Sequence, residues 1–205
     1  MLDSHLHPRL KPLLNAVAGV LDRPGISPDG LTLVGFAIGV LALPFLALGW
    51  YGAALAAILL NRLLDGLDGA LARRRGLTDA GGFLDIALDF LFYALVPFGF
   101  ILADPLNNAL AGGWLLFAFI GTGSSFLAFA ALAAKHNIDN PGYAHKSFYY
   151  IGGLTEGTET IALFVLCCLF PAHFALLAWA FGALCWLTTT TRIWSGYVTL
   201  KSLNA

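Results

Sequence analysis

Two pairs of aspartates stand inside segments that otherwise suit lipid: Asp65 and Asp68 in "LLDGLDGALARR" (63–74), and Asp85 and Asp89 in "GGFLDIALDF" (81–90). The chain is 59% hydrophobic and holds only twelve acidic residues, so four in these places ask for a reason. A carboxylate in mid-span costs on the order of 3 kcal/mol on insertion scales, and intramembrane acids mark function by default. Spacings of i, i+3 and i, i+4 put each pair on one helix face. The turn "RRGLTDA" folds the two helices antiparallel. Counted from residue 77, Asp65 and Asp89 each lie twelve residues away, and Asp68 and Asp85 nine and eight. At about 1.5 Å per residue the four carboxylates meet at two adjacent depths. Oxygen ligands with no His or Cys nearby suit hard cations, Mg²⁺, Mn²⁺ or Ca²⁺, rather than zinc. Gly66, Gly69 and Ala72 keep the wall of the first helix low, so that a bulky ligand can approach the backbone. Any one aspartate could be a structural polar contact; four in a symmetric arrangement argue for a site. Paired intramembrane acids also serve ion-coupled transporters and metal carriers, the rival class.

The surrounding elements follow from composition. Charged residues make up 11% of the 205 and the mean hydropathy is +0.79, against about 25% charged in soluble domains. A formal charge of −1 lacks the basic face that nucleic acid requires. A membrane helix needs about 20 apolar residues, and six stretches qualify, near 31–49, 51–73, 82–103, 112–134, 155–170 and 172–191. "GW" (49–50) and "DPLNN" (104–108) read as loops, Pro171 divides the last apolar run, and Pro44 and Pro97 read as kinks. With the N-terminus inside, all eleven Lys and Arg fall on the inner side, including Arg62, Lys135, Lys146 and Arg192. Residues 1–26 form an amphipathic, uncleaved surface segment, with Leu10, Leu13, Leu14, Val17 and Leu21 on one face. The expected architecture is all-α: this surface helix, then a six-helix membrane domain over 27–205 in a prokaryotic inner membrane, both termini cytoplasmic. Cys167, Cys168 and Cys185 read as buried apolar residues without a disulfide.

At these residues the sequence resembles the CDP-alcohol phosphotransferase (CDP-alcohol phosphatidyltransferase) family, whose motif reads D-x-x-D-G-x-x-A-R, a spacer of about eight, then G-x-x-x-D-x-x-x-D. Here the fixed positions are Asp65, Asp68, Gly69, Ala72, Arg73, Gly81, Asp85 and Asp89, with a spacer of seven. The shortening falls in the turn and bears on contacts from Thr78 or Asp79. The resemblance implies a membrane enzyme of phospholipid biosynthesis that transfers a phosphatidyl or other substituted phosphoryl group from a CDP-alcohol, with CDP-diacylglycerol the usual donor. The acceptor is a hydroxyl, and CMP is released. It implies a two-metal Mg²⁺ or Mn²⁺ site on Asp65, Asp68, Asp85 and Asp89, with Asp89 deprotonating the acceptor. It places the nucleotide near Gly69, Ala72, Arg73 and Thr78, and near "SPDGLT" (27–32), making Asp29 and Thr32 candidates. A homodimer is one assembly that relatives adopt.

For the acceptor, "HKSFYYIGGLTEGTET" (145–160) is the second informative stretch. Lys146 could meet a phosphate or serve only as a positive-inside anchor. Glu156 and Glu159 could reach a cationic or polyhydroxyl head group, or could be first-turn helix charges favoured by the dipole.

Overall fold

In the computed structural model the described residues are 3–136, 138 and 153–202, with 3–10 described as backbone alone. They are helical throughout, without strands. The order is α1 (Asp3–Leu21), α2 (Pro28–Val40), α3 (Ala42–Ala47), α4 (Tyr51–Arg75), α5 (Asp79–Ala103), α6 (Pro105–Lys135), α7 (Gly157–Leu169) and α8 (Phe174–Ser202). Four stretches are long and apolar enough to cross a membrane: Pro28–Ala47, Asp79–Ala103, Pro105–Lys135 and Pro171–Ser202. α4 has the length, at 25 residues, but from its middle onward it carries Arg62, Asp65, Asp68 and Arg73–Arg75. α7 has only 13 residues, about 20 Å of helix.

Local chemistry sets the helix ends. Pro44 has no N–H to give, so the helix that starts at Pro28 breaks at Leu41, whose N–H turns to Ile38 O at 3.1 Å. Pro97 stays within a continuous α5. "DPLNN", expected as a loop, is instead a helix start. Asp104 caps α6 by accepting the Asn107 N–H at 3.3 Å, and Pro105 takes the first-turn position where no N–H is needed. Asn108 then donates to Phe100 O at 2.8 Å, fastening the start of α6 to the end of α5.

α2 lies on α4 and α5, α3 on α5, α6 between α5 and α8, and α7 on α4. The core is a column of rings and small residues in which Phe92, Phe100, Phe164 and Phe174 are fully buried. Phe100 and Phe174 stack at 4.5 Å, joining the end of α5 to the start of α8. Glycine notches let the helices approach: a Cβ on Gly123 would lie 2.6 Å from Phe90, and one on Gly121 would lie 3.1 Å from Thr189. The small residues of "GTGSS" (121–125) thus serve packing. The three cysteines are free and buried.

α1 divides its apolar residues between two environments. Leu14 and Ala18 pack on Ala70 and Leu71 of α4, whereas Leu13, Val17 and Val20 are exposed. Gly66 belongs to this contact and not to a ligand wall, since a Cβ there would lie 3.3 Å from Leu14.

Candidate functional site: an acidic cleft between α2, α4 and α5

The hairpin that carries the aspartates is built from ordinary end signals. α4 closes at Gly76, whose φ of 102° suits glycine and whose N–H reaches Ala72 O at 2.9 Å. Arg73, Arg74 and Arg75 fill its last turn, where positive charge complements the dipole. The N-cap of α5 follows two residues later, with Thr78 Oγ1 accepting the Gly81 N–H at 3.1 Å. The seven-residue spacer is absorbed in this turn. α2 begins the same way, Ser27 capping Gly30 N–H at 3.0 Å with Pro28 and Asp29 in the first turn.

Asp65, Asp68 and Asp85 come together, each with a carboxylate oxygen within 4.8 Å of the others'. Asp68 is buried, and Thr32 Oγ1 donates its one proton to Asp68 Oδ2 at 2.5 Å, with Pro28 O at 3.1 Å the alternative acceptor. Thr32 therefore ties α2 to the acidic trio. Asp89 stands beside the trio with a different partner: Arg62 Nη2 donates to its Oδ1 at 2.8 Å, and Arg62 Nη1 lies 3.6 Å from Asp65 Oδ2.

Two connected spaces are formed. A small inner cavity is lined by Thr32, Gly35, Phe36, Asn61, Arg62, Asp65, Asp68, Asp85, Leu88 and Asp89. A larger cleft of about 590 Å³ opens over it, with Thr32, Asp68, Asp85 and Asp89 as the shared floor. That volume falls in the range of small-molecule sites, about 300–1,000 Å³. All six residues expected at the nucleotide line this cleft: Asp29, Thr32, Gly69, Ala72, Arg73 and Thr78. The first turns of α2 and α5 both border it, so partly positive helix N-termini and the basic residue Arg73 line one space, while Arg75, at its edge, gives its guanidinium to Asp22, Arg23 O and Ile26 O. Asp29 lies against the start of α5, since a Cβ on Gly81 would be 3.1 Å from its Oδ1.

Of the acceptor candidates, Glu156 and Glu159 are described. Lys146 lies outside the described residues. Glu156 and Glu159 work at the start of α7: Glu156 Oε1 accepts the Gly153 N–H at 3.1 Å, and Glu159 Oε2 accepts the Glu156 N–H at 3.2 Å. Neither lines the cleft or the inner cavity. The same helix start is nevertheless close to the site, because a Cβ on Gly157 would lie 3.3 Å from the Tyr93 hydroxyl, which also meets Arg62 Nη1 at 3.5 Å.

Sequence reasoning missed Asn61 and Arg62, treating Arg62 only as a marker of sidedness. The signal was present: both fall inside an apolar stretch, four and three residues before Asp65, on its face of the helix. Arg192, counted above only among the inner-side basic residues, is buried. Its Nη1 donates to Thr122 O at 3.3 Å.

Comparison with known proteins agrees with this geometry. The chain is 86% identical over 204 residues to "Inner membrane protein YnjF" of Escherichia coli (strain K12), covering 100% of this chain and 99% of the relative. It is 39% identical over 104 residues to "Archaetidylinositol phosphate synthase" of Pyrococcus horikoshii, covering 48% of this chain and 53% of that protein. In fold it is similar to the Mycobacterium tuberculosis phosphatidylinositol phosphate synthase (PgsA1) in complex with manganese and citrate. The TM-score is 0.69 at 22% identity, covering 90% of this chain and 88% of that one. The same synthase with CDP-DAG bound gives 0.68 at 21% identity, covering 91% and 94%. A family model described as CDP-alcohol phosphatidyltransferase matches residues 26–195, from the approach to α2 until well into α8. The aspartate hairpin lies within that match, and the chain belongs to the CDP-alcohol phosphatidyltransferase family.

Proposed function

We propose that the protein is an integral inner-membrane enzyme of phospholipid synthesis that transfers a phosphatidyl group from a CDP-diacylglycerol-type donor to an acceptor hydroxyl. The observation that carries this reading is the cleft whose floor is Thr32, Asp68, Asp85 and Asp89 and whose walls hold Arg73, Arg75 and two helix N-termini. A nucleoside diphosphate fits such a space. Donors for phosphate oxygens line the walls, and Gly69 and Ala72 leave room beside the backbone of α4. The family membership, the name of the E. coli relative and the CDP-DAG-bound state of a structural neighbour support the same reading.

The donor set fits a divalent cation. Asp65, Asp68 and Asp85 supply closely spaced carboxylate oxygens and no nitrogen or sulfur, which suits Mg²⁺ or Mn²⁺. When bound, such an ion supplies charge neutralisation at the pyrophosphate and at the leaving phosphate. The chain's own residues do the rest. Thr32 holds Asp68 in place, Arg73 meets phosphate charge from the cytosolic end, and Asp89 takes the proton from the acceptor hydroxyl. The hydroxyl oxygen forms the new bond to the phosphatidyl phosphorus as the bond to CMP breaks. Arg62 engages Asp89 through Oδ1, which orients Oδ2 as the proton acceptor.

The six-span plan belongs to this reading, with α4 and α7 completing the four apolar crossings and the 1–26 segment on the membrane surface. α4 can carry Arg62, Asp65 and Asp68 because they turn toward α2 and α5, and the exposed Leu13, Val17 and Val20 of α1 suit the headgroup boundary. Both termini then lie on the cytosolic side with the cleft. The test is direct. Purified protein in lipid should release CMP from CDP-diacylglycerol only with Mg²⁺ or Mn²⁺ and an acceptor from a panel of glycerol phosphate, inositol phosphate, serine and aminoalcohols. Absence of turnover across the panel, with metal flux in proteoliposomes, would favour a carrier instead.

A further inference from the structure

Arg62 is an unusual tenant for this site: a permanent cation set among the carboxylates that a metal also wants. Its side chain is 14% exposed, against 27% for Asp89 and 31% for Asp65. Its position is over-determined by neighbours that are not acids. Nε donates to Asn61 Oδ1 at 2.7 Å, and Asn61 is itself fixed by donating from Nδ2 to Gly35 O at 2.9 Å. The guanidinium carbon lies 4.6 Å from the centre of the Phe92 ring and 5.5 Å from that of Tyr93, both on α5. Gly39 on α2 makes this possible, because a Cβ there would sit 2.9 Å from Phe92 and 3.0 Å from Asn61. Three helices thus hold one guanidinium against Asp89 and Asp65.

We infer that Arg62 stands in for the second metal ion, so that the ligand-free enzyme binds one divalent cation, at Asp65, Asp68 and Asp85, and Asp89 is a base held by arginine and not a metal ligand. This rests on the metal-site reading above. A divalent ion placed between Asp65 and Asp89 would stand at contact distance from the guanidinium, in a half-buried setting where like charges repel strongly. The arrangement has a chemical use. A carboxylate bound to a divalent cation is a poor proton acceptor, whereas one that gives a single oxygen to arginine keeps the other available. Arg62 acts on the reaction through Asp89 and is therefore a positioning residue.

The experiment counts Mn²⁺ on the purified full-length chain in nanodiscs, by equilibrium dialysis and by electron paramagnetic resonance, without lipid donor or nucleotide. The wild type should hold about one Mn²⁺ per chain with no spin coupling, as should Arg62→Lys, which keeps the charge. Arg62→Gln should gain a second ion, with the dipolar broadening of two ions about 4 Å apart. Arg62→Gln combined with Asp89→Asn should return to one. A spin-coupled pair on the wild type, or a single ion on a folded Arg62→Gln, would overturn the inference while leaving the metal site standing. No bound Mn²⁺ on the wild type would overturn both. The wild-type count decides even if Arg62→Gln does not fold.

Discussion

Asp89 and Asp65 are held by the same guanidinium, and the proposed reaction gives them different duties that single substitutions should separate. Asp89 lines both the inner cavity and the cleft, whereas Asp65 lines only the inner cavity. Asp89→Asn should lower turnover by about 10²–10⁴-fold, the usual worth of a general base, with CDP-lipid affinity nearly unchanged in a titration. Asp65→Asn should instead raise the Mg²⁺ or Mn²⁺ concentration needed for half-maximal rate and weaken donor binding with it. Normal turnover in both variants would remove these roles. The residue scale also shows the limit of spacing arguments. Counting from residue 77 brought four aspartates to neighbouring depths, and three of them do share a centre. That Asp89 turns to Arg62 depends on side-chain direction and on Asn61, Phe92 and Gly39, which one-dimensional spacing does not contain.

At the scale of elements, α1 reaches the site's frame through a charged clasp at the end of α4. Arg75 Nε donates to Asp22 Oδ1 at 2.8 Å, and Arg74 Nε lies 3.4 Å from Oδ2. Arg75 also donates to Arg23 O at 3.1 Å and to Ile26 O. Its hydrogen bond to Asp22, aided by Arg74, holds that carboxyl below the ordinary carboxylate range. Because the folded-state value is depressed, the clasp's contribution is fully present above about pH 3.9, the ordinary Asp value, and is lost as pH falls through the lower folded-state value. Protection factors of the α1 amides, with the intrinsic pH dependence of exchange divided out, should therefore stay flat from neutral pH to about pH 5, where an ordinary aspartate is still ionised, and fall only in stronger acid. Asp22→Asn should bring the same loosening of α1 at neutral pH, by a modest factor because the pair is solvent-exposed. Equal α1 protection in Asp22→Asn and wild type would assign the docking to Leu14 and Ala18 alone. The helix ends themselves were mostly legible: Ser27, Pro28, Gly76, Thr78 and Pro171 act where their residue types direct. "DPLNN" was misread because its Pro and Asn residues suggested a break, whereas Asp–Pro at the N-cap and first position is a helix start.

At the scale of the molecule, contacts at opposite ends show the helices running up and down. Phe100 meets Phe174, and Trp114 meets Trp179 at 5.3 Å, at the end away from the cleft. Phe126 of α6 lines the cleft, and Arg192 of α8 lies over the Phe126 ring at 5.9 Å, so α6 and α8 return to the cleft end. The proposed six-span plan, with the cleft facing the cytosol, puts Asn107 and Ser202 on opposite sides of the membrane. In a background with Cys167, Cys168 and Cys185 replaced by Ala, Ser202→Cys should react with a membrane-impermeant maleimide only from the cytosolic side. Asn107→Cys should react only from the other. Labelling of both from one side would break the six-span plan.

Hydrophobic content, the basic residues at one end of each pair of spans, and the aspartate spacing already determined an all-helical membrane protein with an acidic hairpin, because lipid demands satisfied backbones and tolerates buried charge only at a site. The same residues carried the family resemblance. Tertiary structure alone decided which neighbours those charges meet. Thr32 grips Asp68 from α2, Gly66 faces Leu14 and not a ligand, and Arg62 is seated on Phe92 against Asp89. Such pairings join residues up to 52 positions apart. Helix crossings and glycine notches set them in three dimensions, and no local pattern along the chain encodes them.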